Sequence, residues 1–324
     1  MFKVNTLIVL GAGASKSYGY PLGQELIDGI VASCNPNNTR HSPNRVAYTQ
    51  LRDRLKFYEP FSIDAFLTHY QADKRFVEAA KMKIVEVLLQ PKPSKAFQSE
   101  RSDGHWYRFF WDALVAGSAP DELASENHDP RFNVITFNYD VSLEHYLLSR
   151  IFSHQGFFSE EQKRAFWQTI SKRIHHVYGS IENVIVPGNL EEYRPGNQDL
   201  DEPSLLERSK RIQLIDEREG TDYVKLRDLF TDISQVIFLG FGFDETNIGD
   251  RVLNINKMLN ANIHLELSGM RTIKAIKYTN LGNSERINRR IAQMTEGLPK
   301  EVQIVKSEKT TYEALAHDFS LNTL

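Results

Sequence analysis

Apolar runs of four to seven residues recur along this chain, most of them bounded by glycine, proline or polar turns. They fall at 6–10 (TLIVL), 132–137 (FNVITF), 174–178 (IHHVY), 235–240 (QVIFLG), 262–267 (NIHLEL), 272–276 (TIKAI) and 302–306 (VQIVK). Their β-branched and aromatic content predicts strands. Between most of them apolar residues return every three or four positions, at 22–32, 141–152, 160–173, 223–231, 245–259, 284–296 and 310–319, which predicts helices. Alternation of this kind predicts an α/β fold, a doubly wound, mostly parallel sheet with helices on both faces. The stretch 34–128 departs from the pattern. It holds no strand-like run and reads as helices near 45–58, 62–70, 72–90 and 104–116, with Ser62 as an N-cap and Pro91 and Pro93 ending the third. It is expected to be a helical insertion after the first strand, leaving 1–33 and 129–324 as the core. A second excursion, 187–222, is punctuated by Pro187, Gly188, Pro195, Gly196, Pro203 and Gly220 and reads as a lid or small subdomain.

Composition narrows the function classes. At 324 residues the chain can build its core without staples, and 41% hydrophobic with 25% charged residues is ordinary for a globular protein. A net charge of -3 gives no electrostatic case for direct nucleic-acid binding, and Arg286, Arg289 and Arg290 read as a solvated helix face. Cys34 is the single cysteine, which excludes a disulfide framework and any zinc site built from several thiolates. No run approaches the length of a membrane span and the first residues do not read as a signal peptide, so a cytoplasmic protein with no membrane partner is expected. The apolar stretch RFFWDALVA at 108–116 reads as core.

Chemistry-bearing residues cluster where the predicted strands end, the edge at which open parallel sheets take their ligands. The first strand runs into Gly11-Ala12-Gly13-Ala14-Ser15, a turn whose amides and following helix suit a pyrophosphate. Lys16 stands where the usual dinucleotide fingerprint has its third glycine, and no Gly-Lys-Ser/Thr follows to make a P-loop; a tight turn without a ligand is the competing reading. The second strand delivers Asn138 and Asp140, with helix capping the alternative for Asp140. The third carries His175, His176 and Tyr178; strand periodicity puts His176 and Tyr178 on one face and His175 on the other. The fourth ends in Gly240-Phe241-Gly242, with Asp244, Glu245 and Asn247 available to ribose hydroxyls or to turn capping.

Taken in order, GAGAS followed by Gly19-Tyr20-Pro21, then SIDAFL (62–67), TFNYD (136–140), HVYGSI (176–181) and FLGFGFDETN (238–247) resemble the sirtuin-like NAD-binding superfamily in its bacterial branch. The resemblance covers about 1–33 and 130–310, and touches the insertion only through SIDAFL. It implies a Rossmann-like core that binds NAD, and chemistry at the nicotinamide–ribose bond. Proteins of this branch are largely NAD glycohydrolases of anti-phage defence that deplete NAD. They are expected to act as homo-oligomers gated by assembly or by a partner, such as a hexameric ATPase of the DNA-translocase type or another defence component. Carried onto this chain, Gly11, Ala12, Gly13 and Ser15 would hold the pyrophosphate. Pro21, Gly179, Ser180, Gly240, Phe241 and Gly242 would complete the cofactor-binding set, with Gly240 and Phe241 near the adenosine half. Asn138 would match the catalytic asparagine and Asp140 its neighbour.

One departure concerns the catalytic histidine. In sirtuins it immediately precedes a glycine, and that position here is Tyr178. His176, one strand period back, is the expected base, with Tyr178 orienting the ribose. Asn138 would fix the water or the carboxamide, and Asp140 would stabilise charge in an oxocarbenium-like transition state. No metal is implied. Three readings stay open beside hydrolysis: a non-catalytic NAD or ADP-ribose sensor or scaffold, an ADP-ribosyltransferase, and a protein deacylase. The last is disfavoured by the missing four-cysteine module.

Overall fold

The computed structural model describes residues 2–90, 104–125, 128–153, 159–184, 200–214, 217, 220–249, 252–264 and 273–322. Six parallel strands form one sheet in the order β3-β2-β1-β4-β5-β6. They are β1 (Thr6–Leu10), β2 (Phe132–Thr136), β3 (Ile174–His176), β4 (Gln235–Leu239), β5 (Ala275–Thr279) and β6 (Gln303–Ser307). With helices on the connections this is a doubly wound, Rossmann-like α/β fold, as the alternation predicts.

The central strands are apolar on both faces because both faces are covered, and β1, β4 and β5 are buried at every position. Fully burying one such side chain is worth roughly 1.5–3 kcal/mol. Two polar residues inside these strands are bonded to the C-terminal segment. Gln235 donates to Thr6 Oγ1 and the Leu321 carbonyl, and Lys277 donates to the Ser320 carbonyl at 3.0 Å. Lys277 also explains a shift of register: the run predicted at 272–276 is strand at 275–279, because the buried lysine belongs to the strand rather than ending it.

Another expectation is overturned. Residues 262–264, expected to open a strand, close the helix Ile255–His264, while 265–267 lie outside the described residues. Ile255 and Leu259 are buried at helical spacing, and Asn260 donates back to the Asn256 carbonyl at 3.0 Å. The single helix expected at 245–259 is divided, with the helix Glu245–Ile248 ending at Gly249 and Asn254 left-handed at φ 48 before the next begins.

Between β1 and β2 the described elements are all helical, chiefly Arg45–Tyr58, Ile63–Thr68, Lys74–Leu89 and Tyr107–Val115. Phe110, Trp111, Ala113 and Leu114 of the last are core, as read from RFFWDALVA. Of the 187–222 excursion, 187–199 lies outside the described residues; 200–214 carries the helix Glu202–Ser209, which packs on Lys74–Leu89. That segment is tied down by Lys81 Nζ donating to the Ile212 carbonyl at 2.9 Å and by Gln213 N–H donating to the Tyr178 carbonyl at 3.0 Å. Arg290, expected to be solvated, instead donates to the Phe243 carbonyl and pairs with Glu245 at 3.0 Å, holding the β4 exit. Among the described residues no helix is long and apolar enough to cross a membrane.

Candidate functional site

Strand order reverses between β1 and β4, and the two are in register from Thr6–Gln235 to Leu10–Leu239. The Gly11 and Gly240 turns therefore leave the sheet side by side at its switch point, where a Rossmann sheet opens a crevice. Here the two turns pack directly on each other. Gly11 N–H donates to the Leu239 carbonyl and Gly13 N–H to the Gly240 carbonyl at 3.0 Å. A Cβ on Gly11 would lie 2.6 Å from the Gly240 oxygen, and one on Gly13 2.8 Å from the Gly240 Cα. The glycines expected to let a pyrophosphate approach instead let two turns cross, and the amides of Gly11 and Gly13 bind protein carbonyls.

Gly242 is different. A Cβ there would meet nothing within 4 Å, and its φ is not left-handed. It borders two cavities that also share Ala12, Gly23 and Phe241 in their walls. The first, about 270 Å³, lies toward β2 and β3 and is walled by Gly11, Ser15, Tyr20, Pro21, Phe61, Asp64, Asn138, Tyr139, Asp140, Tyr178, Asp244 and Asn247 among others. The second, about 520 Å³, lies toward β5 and β6 and includes Gly13, Lys16, Ser17, Gly240, Thr279, Lys309, Thr310 and Tyr312. Lys16, in the place of the third glycine, is paired with Glu25 on its rim.

Asn138 leaves β2 buried, its Nδ2 donating to the Gly11 carbonyl and to Ser15 Oγ, each at 3.0 Å. A carbonyl only accepts, so the amide orientation is fixed, and Oδ1 is the atom this side chain offers a ligand. Asp140 Oδ1 accepts from Ser142 N–H at 3.1 Å and from the Ser142 hydroxyl, which lies 2.5 Å from the Tyr107 hydroxyl. Asp140 is thus a turn-capping residue that also faces the cavity, and burial raises its pKa. Tyr178, at the cavity wall, donates to Asn247 Oδ1, which joins the β3 and β4 exits.

Three of the expected site residues stand elsewhere. His176 does not line either cavity: β3 ends at His176, the chain turns at Val177-Tyr178, and the strand rule no longer places the two on one face. Its Nδ1 lies 2.9 Å from the Asn138 carbonyl and its Nε2 2.6 Å from Glu144 Oε1. Both partners are acceptors, so the geometry calls for an imidazolium donating from both nitrogens, a cation with no lone pair for a base. His176 holds the Asn138 backbone. Gly179 and Ser180 are also off the cavities. Gly179 has φ +72 and a Cβ there would fall 2.0 Å from the Arg211 oxygen, so the residue serves a chain crossing, while Ser180 donates to the Glu182 carbonyl.

Burial lowers the His176 pKa, but the Glu144 carboxylate and the Asn138 carbonyl outweigh it, and the net direction is upward from 6.5. A histidine raised on folding adds stability that is complete below its ordinary pKa and is lost as pH climbs through the raised one. The thermal midpoint should therefore decline as pH rises above 6.5, and Glu144→Gln should flatten that decline. Parallel melting profiles for the two proteins, recorded across that range, would contradict the pairing.

Sequence reading passed over one carboxylate. Asp64, in SIDAFL, sits in the first turn of the helix Ile63–Thr68, whose N-cap Ser62 accepts from Ala65 N–H. It accepts a hydrogen bond from the Tyr139 hydroxyl. Burial pushes its carboxyl up to about 6, against the opposing effect of that bond. The available signal was an acidic residue in a first turn, which helix capping explains equally well. No protein-family model and no curated protein matches this chain.

Proposed function

We propose that this protein is an NAD glycohydrolase, releasing nicotinamide and ADP-ribose. The observation that carries the proposal is Gly242, a glycine that no packing demands, at the junction of two cavities on the switch-point edge of a Rossmann-like sheet. An extended dinucleotide suits that edge: a backbone without Cβ in the middle, and a cavity on each side. The first cavity, with Asn138, Asp140 and Tyr178, would take the nicotinamide ribose. The second, with Lys16, Lys309 and several hydroxyls, would take the adenosine half and its phosphates. The ordered motifs quoted above support the reaction class, and with it a role as an NAD-depleting effector of anti-phage defence gated by a partner or by assembly.

Incubation with NAD and chromatography of the products tests the reading. Equimolar nicotinamide and ADP-ribose, formed with turnover and without a modified protein acceptor, is the expected result; a labelled acceptor would make the protein a transferase. One observation favours a second reading, an NAD or ADP-ribose sensor: His176, the histidine expected as the base, is committed to Asn138 and Glu144. Tight binding without product would establish that alternative.

A further inference from the structure

We propose that Asp64, contributed by the helical segment between β1 and β2, is the general base of this site. The inference rests on the hydrolase reading. The cavity that holds Asn138 must also hold a group able to take a proton from water. His176 is doubly bonded outside the wall, and Asp140 accepts two hydrogen bonds from Ser142 as the cap of its turn, where Asp64 accepts one, from Tyr139; each such bond makes a carboxylate a weaker base. Asp64 lines the same cavity from the helix Ile63–Thr68, and its Oδ1 is held by the Tyr139 hydroxyl, one residue on from Asn138. The carboxylate is thus oriented by the strand exit that presents Asn138 Oδ1. In the proposed step the attacking water donates one O–H to the Asn138 oxygen and the other to Asp64 Oδ2, both of which belong to the wall of one cavity.

The water oxygen forms a bond to the ribose C1′, and the C1′–nitrogen bond breaks with its electron pair passing to the nicotinamide ring, which becomes neutral. The water proton passes to Asp64 and then to solvent, so each turnover releases one proton. Among the described residues, the charged and titratable groups that act most strongly on Asp64 are Tyr139 from the β2 exit, Asp244 from the β4 exit and Lys81 from Lys74–Leu89. Of these, Asp244 disfavours the carboxylate and Lys81 favours it, while burial sets its range near neutrality, where a base works best.

The test compares Asp64→Asn and Asp64→Glu with the parent by nicotinamide release between about pH 5 and 9, alongside NAD affinity and melting temperature. Asp64→Asn should lower kcat by about 100-fold, leave the NAD Kd within about threefold, and remove the acid limb of the parent's kcat profile. Asp64→Glu should restore part of kcat together with that limb. Unchanged kcat in a folded Asp64→Asn protein would overturn the assignment and leave the hydrolase reading intact. A loss confined to Kd or melting temperature would also overturn it. A parent protein that releases no nicotinamide would overturn the hydrolase reading and this inference with it.

Discussion

Gly240→Ala should prevent the protein from folding stably, while Gly242→Ala, two residues on, should leave its stability nearly unchanged. Gly240 has φ +56, a conformation that costs alanine roughly 1 kcal/mol before any contact is considered. The added Cβ would fall 2.0 Å from the Ala14 nitrogen and 2.3 Å from the Gly13 carbonyl carbon. Both obstacles are backbone, so no rotamer change relieves them. Separating the turns would break the Gly13-to-Gly240 hydrogen bond and draw Gly240 N–H away from Thr279 Oγ1, at 2.8 Å. A loss above about 4 kcal/mol is expected, placing the substitution among the exceptional cases. Thermal unfolding with gel filtration reads this directly: aggregation or a midpoint lower by about 10 °C for Gly240→Ala, and a change within about 2 °C for Gly242→Ala. The methyl of Gly242→Ala meets no protein atom, so its effect should appear in NAD affinity. Equal melting of the two variants would refute the crossing of the turns as the reason for the glycine.

Most of the fold was legible because the sheet's requirements are local. TLIVL could be placed to the residue, since a strand buried on both faces needs an unbroken apolar run and this one ends at glycine. The errors came where tertiary partners set the outcome. Lys277 is strand only because the Ser320 carbonyl waits for its ammonium, and nothing near residue 277 announces a partner 43 positions away. NIHLEL has β-type composition, yet its first residues extend a helix already anchored by buried Ile255 and Leu259. In the site, Asn138 was visible as a polar residue too early to be the helix cap. His176 was misplaced because strand periodicity was carried past the point at which β3 stops. Asp64 was hidden by distance: 75 residues separate it from Tyr139, and only the folded chain closes that gap.

Asn138→Ala should reduce nicotinamide release by about 1,000-fold, more than any other single change at the site, because in the proposed reaction the residue presents an atom to the substrate and in the structure it also supports the loops around it. Removing one preorganised polar contact to a developing charge or attacking water commonly costs 10²–10³ in rate, roughly 3–4 kcal/mol. The carboxamide also joins the Gly11 carbonyl to Ser15, so its loss leaves buried polar groups without a partner and lowers stability by about 1–3 kcal/mol. Asn138→Asp separates the two contributions. A carboxylate keeps the side-chain shape and the acceptor but cannot donate to the Gly11 carbonyl, so it should lose stability as the alanine variant does. His176→Gln should lose less activity than Asn138→Ala, since a glutamine amide can still donate to the Asn138 carbonyl, and its deficit should not depend on pH as the loss of a base would. Rates for the three variants at two pH values, normalised to the folded fraction, decide the matter. A His176→Gln defect as deep as that of Asn138→Ala, appearing only where histidine is neutral, would return the proton-transfer role to His176.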